Sequence, residues 1–120
     1  MSIFSFVKRL FGSPNRVSAE EFVTGRRTSD IVVDVRTSAE FSRGHVAGAR
    51  NIDVRAADFE TQVERLMRTS RDDDVRVYLY CRSGARSGRA ARALEARGLE
   101  QVFNAGAIGR LEAAGADVRR

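Results

Sequence analysis

Val75-Arg76-Val77-Tyr78-Leu79-Tyr80 is a β-branched and aromatic run, and Cys81-Arg82-Ser83-Gly84-Ala85-Arg86-Ser87 follows it, just before a helical pattern from Gly88 to Arg97. The run reads as a buried strand, the stretch after it as a small Gly-containing turn, and the Ala-rich segment as a helix. That order delivers the only cysteine to a helix N-terminus, where unpaired backbone N–H groups and the helix dipole favour negative charge. Arg82, Arg86 and Arg89 add full positive charges, and settings of this kind lower a cysteine pKa from about 8.5 to roughly 3.5–7.5. The expectation is a nucleophilic, partly exposed sulfur at Cys81. The competing reading is a small buried hydrophobe at a strand end, a common place for a free cysteine.

Working outward, Ile31 to Val35 is almost wholly apolar, the pattern of a strand covered on both faces of a parallel sheet. Two capping boxes flank it: Ser18 with Glu21 opens a helix ending by Gly25, and Thr37 with Glu40 opens a short one ending at Gly44. Val17 is read as a short strand, His45 to Ala49 as a loop, and Asn51-Ile52-Asp53-Val54 as a brief strand. Phe59, Val63, Leu66 and Met67 mark a helix over 56–67, and Asp72-Asp73-Asp74 a polar turn. Ala90, Ala93 and Leu94 face the sheet from the next helix, which Gly98 ends as its C′ residue. Gln101 to Asn104 is the last strand, and Ile108 to Ala114 the last helix. Strands alternating with helices on short connections predict an α/β fold, an open parallel sheet of about five strands with helices on both faces. Chemistry in such sheets sits beyond the C-terminal strand ends, which is where Cys81 falls.

Cys81-Arg82-Ser83-Gly84-Ala85-Arg86-Ser87 resembles the active-site loop of the rhodanese family of thiosulfate and persulfide sulfurtransferases. Asp34-Val35-Arg36, with Glu40-Phe41, Gly44-His45-Val46, Gly48-Ala49 and Asn51-Ile52, resembles the family's upstream signature in order and spacing. The resemblance implies a sulfurtransferase in which the Cys81 thiolate takes the outer sulfur of thiosulfate or a related anionic donor, holds it as a persulfide, and yields it to a thiol or cyanide. A protein sulfur acceptor is also among the partners it allows. Arg82, Ser83, Gly84, Ala85, Arg86 and Ser87 would bind the donor, with their N–H groups cradling the anionic sulfur; Ser87 also suits the N-cap of the following helix. A thiolate attacking sulfur needs no general base, so Asp34 and Arg36 read as a supporting ion pair at a strand end and His45 as a loop-fixing hydrogen-bonder. Phosphatases of related fold place arginine six residues after cysteine; here position 87 is serine and the arginine comes one place earlier, in a loop better sized for sulfur than phosphate. Gly106-Ala107-Ile108 stands where a run of glycines is usual in the family, and no tryptophan follows. The alternative function is a persulfide carrier or sulfur-relay module without appreciable turnover.

The totals bound the rest. At 120 residues the chain has one folded domain, predicted over 16–120, behind an N-terminal amphipathic segment and linker over 1–15. A domain of this size buries roughly two-thirds of its unfolded surface. The net charge of +5 comes from 20 Arg and one Lys spread among carboxylates. No basic stripe carries interleaved aromatics, so nucleic acid is not an expected partner, and the positive field suits small anions. One cysteine and one histidine exclude an intrachain disulfide and a soft-ligand metal cluster. No cofactor is implied. Ile3, Phe6, Val7 and Leu10 share one face of the 1–12 segment, expected to pack on its own domain or a twin subunit, as monomer or weak homodimer, rather than on a membrane. No secretory signal is read, and a reducing cytoplasm is the expected location.

Overall fold

The computed structural model describes residues 16–70 and 74–120. The readings for 1–15 and for Asp72 and Asp73 lie outside the described residues. In chain order the elements are α1 (Ala19–Gly25), β1 (Ile31–Asp34), α2 (Ser38–Arg43), β2 (His45–Val46), β3 (Arg50–Asn51), α3 (Phe59–Thr69), β4 (Val77–Cys81), α4 (Ala85–Ala96), β5 (Val102–Ala107), α5 (Ile108–Ala113) and β6 (Val118–Arg119).

The main sheet is parallel and has the order β3-β1-β4-β5. In register, Val33 lies beside Leu79 and Asp34 beside Tyr80. Because side chains alternate along a strand, this register sorts the apolar residues into two cores. Val33, Val77, Leu79 and Cys81 pack with Phe59 and Val63 of α3 and with Ala90, Ala91 and Leu94 of α4. On the opposite face Val32, Tyr78, Tyr80 and Phe103 pack with Phe22 of α1 and Leu111 of α5. Helices thus cover both faces, as the unbroken hydrophobic strands require.

Both capping boxes form: the Ser18 hydroxyl accepts from Glu21 N while Glu21 accepts from Ser18 N, and Thr37 and Glu40 repeat the pattern. At the end of α4, Gly98 N–H donates to the Glu95 carbonyl and Leu99 N–H to that of Leu94, the paired bonds that end a helix on a C′ glycine.

Several boundaries differ from the sequence reading. The sheet has four strands, and the strand expected at Val17 shrinks to one bridge from Arg16 to Asn104 plus the bond from Val17 N to the Asn104 carbonyl at 3.0 Å, because the Ser18 cap turns the chain into α1 at once. His45–Val46 is a strand rather than part of a loop, paired antiparallel with Val118–Arg119 as the chain returns past it. The α3 helix starts at Phe59, since Asp53 first closes a turn on Arg55 N and Ala56 N. β5 runs on to Ala107 through a register shift opposite Leu79 and Tyr80. Most consequential for the site, α4 begins at Ala85 rather than Gly88. Among the described residues no helix is long and apolar enough to cross a membrane.

Candidate active site

Cys81 ends β4 at the C-terminal edge of the sheet, beside Ala107 of β5. Gly84 then turns the chain in the left-handed region, φ 96°, and is the N-cap of α4. A Cβ on Gly84 would stand 3.4 Å from Gly106 Cα, so the turn and the end of β5 meet backbone to backbone. Gly106 sits in the left-handed region too, whereas Ala107 has an ordinary φ of −93°. The alanine that departs from a run of glycines therefore occupies a position that tolerates it.

The turn wraps the sulfur. Gly84 N–H lies 3.0 Å from Cys81 Sγ and the Ser87 hydroxyl 3.4 Å from it. Burial pushes the thiol pKa up, but hydrogen bonds from the Ser87 hydroxyl and from the N–H groups of Ser87, Ser83 and Gly84 outweigh it and leave the thiol below the ordinary cysteine range. The expected cradle is therefore present, built from three of the backbone N–H groups and one hydroxyl. Partial exposure of the sulfur is not: Cys81 is 0% exposed. The early start of α4 folds the turn directly over Sγ. Ser87, in turn, is not the helix N-cap but a buried residue of the first turn of α4.

Asn104 of β5 ties this arrangement together, and sequence reading passed over it as the last residue of a strand. Its Oδ1 accepts from Gly106 N–H at 2.9 Å and lies 2.7 Å from the Ser87 oxygen, whose one proton goes either to Oδ1 or to Cys81 Sγ, and its Nδ2 donates to the Gly84 carbonyl at 3.2 Å. The only signal was a carboxamide ending an otherwise apolar strand, just before Ala105-Gly106.

The remaining predicted residues divide into rim and frame. Arg82, Ser83 and Ala85 are exposed on the turn. Arg86 is held by Glu40 of α2 through two parallel bonds of 2.8 and 2.9 Å. That bond to Arg86 is the main reason the Glu40 carboxyl sits at about 2. A carboxyl held low in the folded state adds stability that is complete above the ordinary value of 4.5 and is lost as the pH falls towards 2, so the pair is intact at neutral pH. Asp34 and Arg36 form the expected ion pair, which the structure buries, with Arg36 Nη2 at 2.6 Å from Asp34 Oδ2. The same Nη2 donates to the Gly44 carbonyl at 2.6 Å. His45 Nδ1 lies 3.0 Å from the Phe41 carbonyl, and its ring stacks on Phe41 at 3.8 Å. It fixes the chain leaving α2 and touches nothing at the sulfur in the contacts described. Among the described residues no group of three or more His, Cys, Asp or Glu side chains is placed to hold a metal ion.

Glu40 and Arg86 thus latch the turn over the sulfur. Glu40→Gln retains the capping box, which accepts Glu or Gln, but has one acceptor oxygen and no charge, so the fork from Arg86 loses its second bond and its counter-charge. The expected result is a rise of about threefold or more in the rate of Cys81 alkylation by iodoacetamide at neutral pH, the factor that a loss of about 0.7 kcal/mol from the latch produces. An unchanged rate would mean that the ion pair does not control access.

Comparison with known proteins agrees with this geometry. The family model described as the rhodanese-like domain matches residues 18–106. Protein YqhL of Bacillus subtilis (strain 168) is 39% identical over 88 residues, covering 73% of this chain; the chain spans 64% of YqhL's length. Thiosulfate sulfurtransferase PspE of Escherichia coli (strain K12) is 33% identical over 76 residues, covering 63% of this chain and 68% of PspE. Among solved structures, protein hp1203 of Helicobacter pylori superposes with a TM-score of 0.67 at 26% identity, covering 87% of each chain. A rhodanese-related protein from Thermoplasma volcanium gives a TM-score of 0.69 at 24% identity, covering 88% of this chain and 97% of that one, a likeness of fold.

Proposed function

The chain belongs to the rhodanese-like domain family, and from that premise we propose that it is a thiosulfate sulfurtransferase working through a persulfide on Cys81. The observation that carries this reading is a lone buried sulfur whose pKa is held down by Gly84 N–H and the Ser87 hydroxyl despite its burial. In the first step the Cys81 thiolate attacks the outer sulfur of thiosulfate. A new S–S bond forms at Cys81, the bond from that sulfur to the sulfonate breaks, and sulfite leaves with the electron pair. In the second step a thiol or cyanide attacks the outer sulfur, and the Cys81 thiolate leaves. Negative charge rests on a sulfur inside the turn throughout, so fixed N–H donors are the catalytic resource needed. The reaction moves no proton at the sulfur, consistent with the structural roles of Asp34 and His45.

The full cover over Cys81 and the neutralisation of Arg86 by Glu40 favour a second reading. In it the domain carries sulfur between proteins and turns over free thiosulfate poorly. A lone thiol of this kind works where thiols remain reduced, and the cytoplasm is the proposed location. Intact-mass measurement after treatment with thiosulfate tests the chemistry common to both: one added sulfur on Cys81 is expected, and none overturns both. Steady-state production of thiocyanate from thiosulfate and cyanide then selects the enzyme, while an adduct without turnover selects the carrier.

A further inference from the structure

Arg16, Arg89, Arg92 and Arg110 line one open cavity of about 620 Å³. They come from three places: the bridge ahead of α1, the α4 helix and the α5 helix. The cavity runs along the Cys81 turn, with Ser83, Gly84 and Asn104 also in its lining, and among the described residues neither a carboxylate nor an aromatic ring borders it. Arg92 leans across Gly88, so that a Cβ there would lie 3.7 Å from its Nη1. All four arginines are exposed. Among the described residues none of them makes an ion pair, while Arg36 and Arg86 are each paired with a carboxylate.

Guanidinium forks match carboxylates in a bidentate way, and four of them around one cavity attract a ligand with several negative charges. None of the described lining residues offers the aromatic stacking platform that single-stranded nucleic acid uses. The chain's own N-terminal segment has the wrong sign: residues 1–15 contain Lys8 and Arg9 and no Asp or Glu. We propose that this groove docks an acidic peptide segment, several Asp or Glu in succession, on the protein that exchanges sulfur with Cys81. The sulfur exchange rests on the function proposed above; the docking does not.

Fluorescence anisotropy with a labelled hexaglutamate peptide tests it on the full chain. The peptide is expected to bind at low ionic strength and to weaken with added salt. Binding should fall about tenfold, equivalent to about 1.4 kcal/mol, in Arg89→Gln/Arg92→Gln. The charge-matched Arg43→Gln/Arg65→Gln, exposed positions on α2 and α3, should keep it within about twofold, a difference of less than about 0.5 kcal/mol. Cys81→Ser should bind as the wild type does, so the groove stands or falls independently of the persulfide. No binding, equal loss in the two double variants, or tighter binding of a hexathymidylate than of hexaglutamate would each overturn the proposal.

Discussion

Cys81→Ser is expected to take up no sulfur from thiosulfate and to lower thiocyanate production by a factor of about 10³ or more, the scale on which removal of a covalent nucleophile acts. Serine has nearly the shape of cysteine, and its hydroxyl can keep the bonds that Gly84 N–H and Ser87 make to the sulfur, so the fold should persist. What is lost is a thiol held below the ordinary cysteine range and, in the proposed reaction, the atom that accepts sulfur. In the wild type, the pH profile of iodoacetamide labelling should have its midpoint below that of an unstructured cysteine peptide labelled alongside, since the cradle bonds outweigh the burial that raises the thiol. A serine variant that still takes up sulfur would move the chemistry away from position 81. A labelling midpoint at or above that of the free peptide would mean that the turn does not hold a thiolate.

The two halves of this site differ in how much of them a single sequence shows. The strand, the cysteine and the turn were legible because they depend on neighbours in the chain: a β-branched and aromatic run through Tyr80, then small residues at a helix start. The Ser18 and Thr37 capping boxes were legible for the same reason. The cover over the sulfur was not, because it depends on where α4 begins. Ser87 looked like a cap by residue type, yet Gly84 takes that place in a left-handed conformation against Gly106 of β5. Asn104 lies 17 residues from Ser87, and only the register of β5 beside β4 brings them together. Glu40 and Arg86 are 46 residues apart. The pairing of His45–Val46 with Val118–Arg119 likewise joins distant segments that local pattern treats as loop and tail.

Arg36→Met is expected to cost roughly 3–5 kcal/mol of folding stability, the usual penalty for leaving one member of a buried ion pair behind, from a total of roughly 5–15 kcal/mol for a domain. Asp34 is 0% exposed and Arg36 7%, so water cannot replace the missing guanidinium. After the substitution the carboxylate keeps the Arg36 backbone N–H at 2.9 Å and loses three side-chain contacts of 2.6–3.1 Å. Urea denaturation of Asp34→Asn/Arg36→Met should recover part of the loss, because no buried charge then remains; a single variant within about 1 kcal/mol of wild type would place the pair among exposed bridges instead. The effect should also reach the sulfur. Arg36 holds the Gly44 carbonyl, and Tyr80 Oη accepts from Val46 N–H at 2.9 Å, so together they anchor the chain leaving α2. That helix carries Glu40, the partner of Arg86 on the Cys81 turn. Under folding conditions, Arg36→Met should therefore raise the rate of Cys81 alkylation in the same direction as Glu40→Gln, whereas a role confined to stability would leave that rate unmoved.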